Sequence, residues 1–221
     1  MPTDLAKLTQ CLAAMKATYL ADPDGSVRSQ AFIQHLHAFC AEELRTHGVD
    51  EGKVQIILEA KLYGSHKQKD VDLAVVHPVN GPQIMIGLRS QMSSVGKNLL
   101  TYYEEIIGDV ISLHDRFPMA VINYVYLLPR HAIKPGLKEA VDLRRAAQLF
   151  KMITERPDWR GPKDQYEHFA FLPVDFETDP PMLLDPETDL QVEGGRALSV
   201  ADFFDKILKT YRERNLFLEI A

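Results

Sequence analysis

The segment Met119–Leu128, MAVINYVYLL, restricts the fold more than any other part of the chain. It is a near-continuous apolar run with three β-branched residues, Val121, Ile122 and Val125, interrupted by Asn123. Ten residues are about half of what a helix needs to cross a bilayer, so no membrane span is expected. A short run of this kind is a strand covered on both faces, which belongs at the centre of a sheet between helices. The rest of the chain can supply those layers. Of 221 residues, 46% are hydrophobic and 25% charged, the balance of one ordinary globular domain spanning 1–221. Cys11 and Cys40 have neither CxxC nor Cys/His spacing, which excludes a disulfide scaffold and a cysteine-based zinc site. The start, Met1-Pro2-Thr3-Asp4-Leu5, carries neither a basic leader nor an apolar signal core, so a cytoplasmic protein is expected.

Periodicity places the remaining elements. Leu5, Leu8, Leu12, Met15 and Tyr19 are three or four apart and predict an amphipathic helix over 4–20, stopped by Asp22-Pro23-Asp24-Gly25. Ser29 caps a second helix with the stripe Phe32, Leu36, Phe39 and Leu44, ended by Gly48. The period then shortens to that of strands over 54–60, 70–76 and 83–89, the last two joined at Asn80-Gly81, a strong hairpin signal. A helix over 95–114 precedes the apolar strand. Leu143, Ala146, Ala147, Phe150 and Ile153 predict a basic helix over 137–154, and a strand follows at 168–174. An acidic loop over 175–197 and a closing helix over 199–215, with Phe203, Phe204, Ile207, Leu208 and Tyr211 inward, complete the chain.

The net charge of −6 argues against strong nonspecific nucleic-acid binding. Its distribution is uneven. Arg130–Lys163 holds nine basic residues against four acidic, and Asp164–Asp205 one against eleven. Such an acidic segment screens a basic face, docks a protein partner, or solubilises a loop.

The chemistry concentrates in Lys69–Asn98. Strand alternation puts Asp70, Asp72 and Ala74 on one face, and Met85, Gly87, Arg89 and Gln91 on one face across the turn. With Asn80-Gly81 as the two turn residues, Asp72 falls opposite Arg89. On the following helix Lys97, Thr101, Glu104, Gly108 and Ser112 form a polar stripe.

The order of helix, three strands with an Asp on the second, helix and buried strand resembles the PD-(D/E)XK nuclease family over about 29–130. The resemblance implies an α/β fold: a central mixed sheet flanked by helices, with a restriction-endonuclease-like αβββαβ core and extra N- and C-terminal helices. It also implies a metal-dependent DNA endonuclease, with restriction or defence as its setting, using Mg²⁺ or Mn²⁺. Asp72 matches the family's Asp. Gly87-Leu88-Arg89 stands where Glu-X-Lys is expected, and Arg89, always protonated, can clamp a phosphate but cannot be a base. Glu104 then replaces the missing acid, as in relatives whose ligand moves to the helix, with Glu59 as a weaker third ligand. Gln91 orients water or phosphate. Lys67, Lys69, Ser94, Lys97 and Asn98, with Arg144 and Arg145 on the basic helix, touch the nucleic-acid backbone, and a homodimer suits double-strand cleavage.

Plainer readings stand beside these. Asp72 and Arg89 make a cross-strand ion pair, Glu104 is a solvated helix edge, Ser93-Ser94 is an N-cap, and Lys67 and Lys69 lie on an exposed loop. The departure at Gly87 and Arg89 also suits a nuclease-fold module that binds nucleic acid or a protein without cleaving. His35 and His37, two apart on a helix, make a poor metal pair, and no HExxH, GxSxG, GxGxxG or Walker loop is present.

Overall fold

The apolar run forms the middle of the sheet. In the computed structural model, which describes residues 1–22, 31–134, 137–215 and 220, β4 (Val121–Pro129) is buried at every position. It lies between β3 (Gly81–Ser90) and β7 (His168–Asp175) and is parallel to both. Its side chains alternate: Val121, Val125 and Leu127 enter one core, Ile122, Tyr124, Tyr126 and Leu128 the other. Asn123, fully buried, donates from Nδ2 to the carbonyls of Met85 and Val121 at 3.1 Å, so its amide nitrogen is satisfied within the sheet while its Oδ1 has no partner among the described residues.

β1 (Gln55–Tyr63), β2 (Gln68–His77) and β3 form an antiparallel meander, and β8 (Met182–Leu183) closes the far edge, giving the order β1-β2-β3-β4-β7-β8. One face of this mixed sheet carries α1 (Leu5–Ala21), α2 (Gln34–Thr46) and α5 (Phe203–Arg214). The other carries α3 (Val95–Arg116), α4 (Leu143–Lys151) and a 3₁₀ turn at Gly195–Leu198. Helices thus flank the sheet on both faces, and α2-β1-β2-β3-α3-β4 follows the expected αβββαβ order. Among the described residues no helix is long and apolar enough to cross a membrane.

Local chemistry explains the termini. Asp4 caps α1 by accepting from the amides of Ala6 and Lys7. Leu8, Leu12, Met15 and Tyr19 are buried as the spacing predicts, whereas Leu5 is exposed. All five residues expected to face inward from α5 do so. The expected Ser29 cap and most of the Asp22–Gly25 turn lie outside the described residues.

Three expectations are corrected. The basic helix does not span 137–154: its first part is the second strand of a hairpin, β5 (His131–Lys134) with β6 (Leu137–Ala140), and the helix starts only where Asp142 accepts from the Arg145 amide. The closing helix starts at Phe203 rather than 199, because the Ser199 hydroxyl accepts from the Ala201 amide in a separate turn. The β2–β3 turn is also longer than Asn80-Gly81. Pro78-Val79-Asn80 make it, the His77 ring accepting from the Val79 and Asn80 amides, and Gly81 takes a left-handed φ of 74°. A bulge at Val75/Val76 then leaves Leu73 paired with Ile86, two positions away from the expected register, so Asp72 is not opposite Arg89.

The acidic stretch meets the basic one within the chain. Asp175 pairs with Arg130 at 3.0 Å, Lys151 donates to the Glu193 carbonyl, and Asp185 accepts from the amides of Glu187 and Thr188 in its own turn.

Burial pushes His114 down from 6.5 to about 4, although Glu167 faces it, and pushes His168 down to about 4. Each is neutral when folded and charges first when unfolded. Their stabilisation is therefore complete above pH 6.5 and is lost as the pH falls toward 4. The expected slope is about 1.4 kcal/mol per pH unit for each histidine inside that window, read by urea melts at stepped pH.

Candidate functional site

The β2–β3 ladder stops at Leu73–Ile86, and from there the amide of Leu88 donates to Asp72 Oδ2 at 2.7 Å instead of joining the sheet. The fork opens a cleft of about 850 Å³ whose wall includes Glu59, Asp72, Arg89 and Gln91. Asp72, Arg89, Gln91, Glu59, Lys69, Ser94 and Asn98 all line it.

The centre of the cleft is a pair of carboxylates. On β1, Leu58 pairs with Leu73 and Ala60 with Val71, so Glu59 and Asp72 stand opposite each other at an unpaired rung. Glu59 has a left-handed φ of 53°, which costs a residue with a Cβ about 1–2 kcal/mol. Backbone strain of this kind clusters at functional sites. Like charges placed opposite each other also destabilise a sheet. Among the described residues neither carboxylate has a lysine or arginine at ion-pair distance. Glu59 accepts from the Gln34 amide at 2.8 Å, and Asp72, besides accepting from the Leu88 amide, lies 3.6 Å from the His37 ring. Burial lowers the His37 pKa, favouring its neutral form, and raises that of Asp72, against the Leu88 hydrogen bond that lowers it.

Arg89 stacks on the Tyr102 ring, 4.1 Å from its centroid, and pairs with Glu105 at 3.2 Å. Gln91 is committed at both ends: its Oε1 accepts from the Tyr126 hydroxyl, and its Nε2 donates to the Ser94 carbonyl at 3.0 Å. It braces the β3–α3 corner, so the expected water-orienting role is corrected to a positioning one. Lys69 is ion-paired with Asp109 across the cleft wall.

Other expectations fail here. Glu104 is exposed and does not line the cleft. The helix residues that line it include Asn98, Tyr102 and Asp109, with Glu105 reaching Arg89 beside them, one residue round from the predicted stripe, because the aromatic and aliphatic side chains of α3 pack with a different phase. Lys67 and Lys97 are exposed outside the cleft, as are Arg144 and Arg145 on α4. Ser94 occupies the N-cap position of α3 in a left-handed conformation and makes no side-chain cap bond. His37, whose spacing makes it a poor metal partner for His35, lines the cleft. A single histidine on an apolar helix face carries no signal separating a site residue from a core one.

The glycine at position 87 has a steric cause. Gly87 lies beside Tyr124 in the parallel β3–β4 ladder, and a Cβ there would fall 2.5 Å from the Tyr124 ring. That ring is stacked on Phe169 with centroids 5.4 Å apart and is packed by Tyr166, so it cannot swing aside cheaply. Gly87→Ala is expected to cost about 1–3 kcal/mol, measured as a lower urea midpoint at unchanged slope.

Among the described residues no group of three or more His, Cys, Asp or Glu side chains is arranged to hold a metal ion. A hard divalent cation does not require one: Mg²⁺ is commonly bound by one or two carboxylates, with water and phosphate oxygens completing its shell. Glu59 and Asp72 fit that donor set. Comparison of the chain with protein-family models, with curated proteins and with solved structures finds no match.

Proposed function

We propose that the cleft is the active site of a divalent-cation-dependent phosphodiesterase acting on DNA. The observation that carries this reading is the Glu59–Asp72 pair, two carboxylates opposed at an unpaired rung that, among the described residues, have no lysine or arginine at ion-pair distance. These are the residues that would hold a divalent ion. The chemistry such an ion supplies is polarisation of a phosphate and a nucleophilic water near neutral pH. DNA as the substrate class comes from the resemblance to PD-(D/E)XK nucleases.

The chain's own residues do the rest. The Leu88 amide holds Asp72 in one orientation, facing the cleft. The Arg89 guanidinium, packed on Tyr102, is placed to meet a phosphate that displaces Glu105, and its permanent charge suits developing negative charge rather than proton abstraction. Gln91 keeps the start of α3 against the cleft wall, where Ser94 and Asn98 add neutral donors.

The expected result is nicking or linearisation of plasmid DNA by the wild-type chain with Mg²⁺ or Mn²⁺, abolished by EDTA. One observation favours a second reading, in which the fold binds nucleic acid without cutting it. Gly87 is filled by Tyr124, so the family's acid has no room on β3. Salt-dependent DNA binding with no cleavage in either metal decides for that reading.

A further inference from the structure

We infer that Glu105 and Asp109 form an acidic clamp over two cations of the cleft, Arg89 and Lys69, so that the site takes two linked phosphates of a polynucleotide backbone and rejects a single phosphate. The inference rests on the proposed phosphodiesterase cleft and adds the residues that decide which phosphate ligands enter it.

Arg89 and Lys69 line the cleft from β3 and β2, and each meets an acid of α3. Arg89 pairs with Glu105 at 3.2 Å, and Lys69 pairs with Asp109. The two acids are four residues apart, so they stand about 6 Å from each other along one face of the helix. In each pair the cation is the more enclosed partner. The Arg89 and Lys69 side chains are 30% and 11% exposed, those of Glu105 and Asp109 50% and 49%. The acids thus lie on the solvent side, where an incoming anion must replace them. Tyr102, three residues before Glu105, stacks on the guanidinium and holds it in place for the exchange. Lys61 lines the same cleft but is exposed on the edge strand.

The exchange sets the selectivity. One phosphate that displaces one carboxylate makes one ion pair for each it breaks, and pairs reached by solvent contribute little either way. Two phosphates on one strand shift the balance, because the first to bind holds the second beside the other cation at high effective concentration.

The test measures binding of a fluorescein-labelled 20-base-pair DNA duplex to the full chain in EDTA, by anisotropy across a salt series, with inorganic phosphate as competitor. Glu105→Gln and Asp109→Asn together are expected to tighten duplex binding by about tenfold or more and to steepen the salt dependence by about 0.9 for each acid removed. Inorganic phosphate is expected to compete with an inhibition constant at least about tenfold lower than for the wild type. Glu104→Gln, which removes the same charge one residue round the helix and outside the cleft, is expected to change binding by less than about twofold. Adding Arg89→Gln and Lys69→Met to the double variant is expected to erase its gain, and circular dichroism checks that each variant is folded. A gain no larger than that of Glu104→Gln, a gain that survives loss of both cations, or an unchanged inhibition constant for phosphate overturns the inference. Plasmid cleavage by the wild type then leaves the phosphodiesterase reading standing. Absence of duplex binding in every variant, together with absence of cleavage in Mg²⁺ and Mn²⁺, overturns both.

Discussion

Glu167→Gln is expected to lower stability by about 3–5 kcal/mol. Glu167 precedes β7 with its side chain fully enclosed. One carboxylate oxygen receives Arg156 at 2.9 Å and Arg214 at 2.8 Å, and the other accepts from the Ile122 amide at 2.7 Å. The carboxylate therefore ties three places together: the end of α5, the segment after α4, and the start of the central strand. Arg156 also donates to the carbonyls of Trp159 and Gly161, and Arg214 to that of Ala120. An amide can still accept from Ile122, but it leaves two guanidinium groups in the interior without a counter-charge. That desolvation, rather than a lost hydrogen bond, sets the size of the effect. Urea unfolding followed by circular dichroism reads it. A variant within about 1 kcal/mol of wild type would mean that water reaches these arginines freely.

Asp72→Asn is expected to move activity and stability in opposite directions. Cleavage should fall by about 10³-fold, equivalent to roughly 4 kcal/mol of transition-state stabilisation from a bound cation. The fold should hold. The asparagine oxygen can still accept from the Leu88 amide, and removing the charge removes the cost of burying it, which is what raises the Asp72 pKa. In cation-free buffer the midpoint is expected to rise by the equivalent of about 0.2–1 kcal/mol. Activity lost together with stability lost would instead identify Asp72 as a structural residue. Glu59→Gln should behave in the same way, since it removes the other member of the pair.

Much of the site was legible because strand alternation is a local property. It put Asp72 on the second strand, and Arg89 and Gln91 at the end of the third, and all three reach the cleft. Residues whose position depends on phase were misplaced. Rotating α3 by one residue replaces Glu104 with Glu105 and Asp109, and a helix with a wide polar arc has no pattern fine enough to choose between them. Register was misread because the His77 ring and the left-handed Gly81 lengthen a turn that Asn80-Gly81 alone makes look short. Leu137–Ala140 is made of good helix formers, yet it pairs with His131–Lys134, where hydrogen bonds to a neighbouring strand outweigh local helix propensity.

By itself the amino-acid order determined the layers: an apolar strand that must be covered twice, amphipathic helices able to cover it, and the αβββαβ succession. These follow from burial and periodicity, which act within ten or twenty residues. Only the tertiary structure decided that Glu59 faces Asp72, that Tyr124 fills the space over Gly87, and that His37 closes the cleft from the opposite layer. Each of these joins residues from separate elements, so it depends on strand register, bulges and ring packing, which are settled only when the whole sheet assembles.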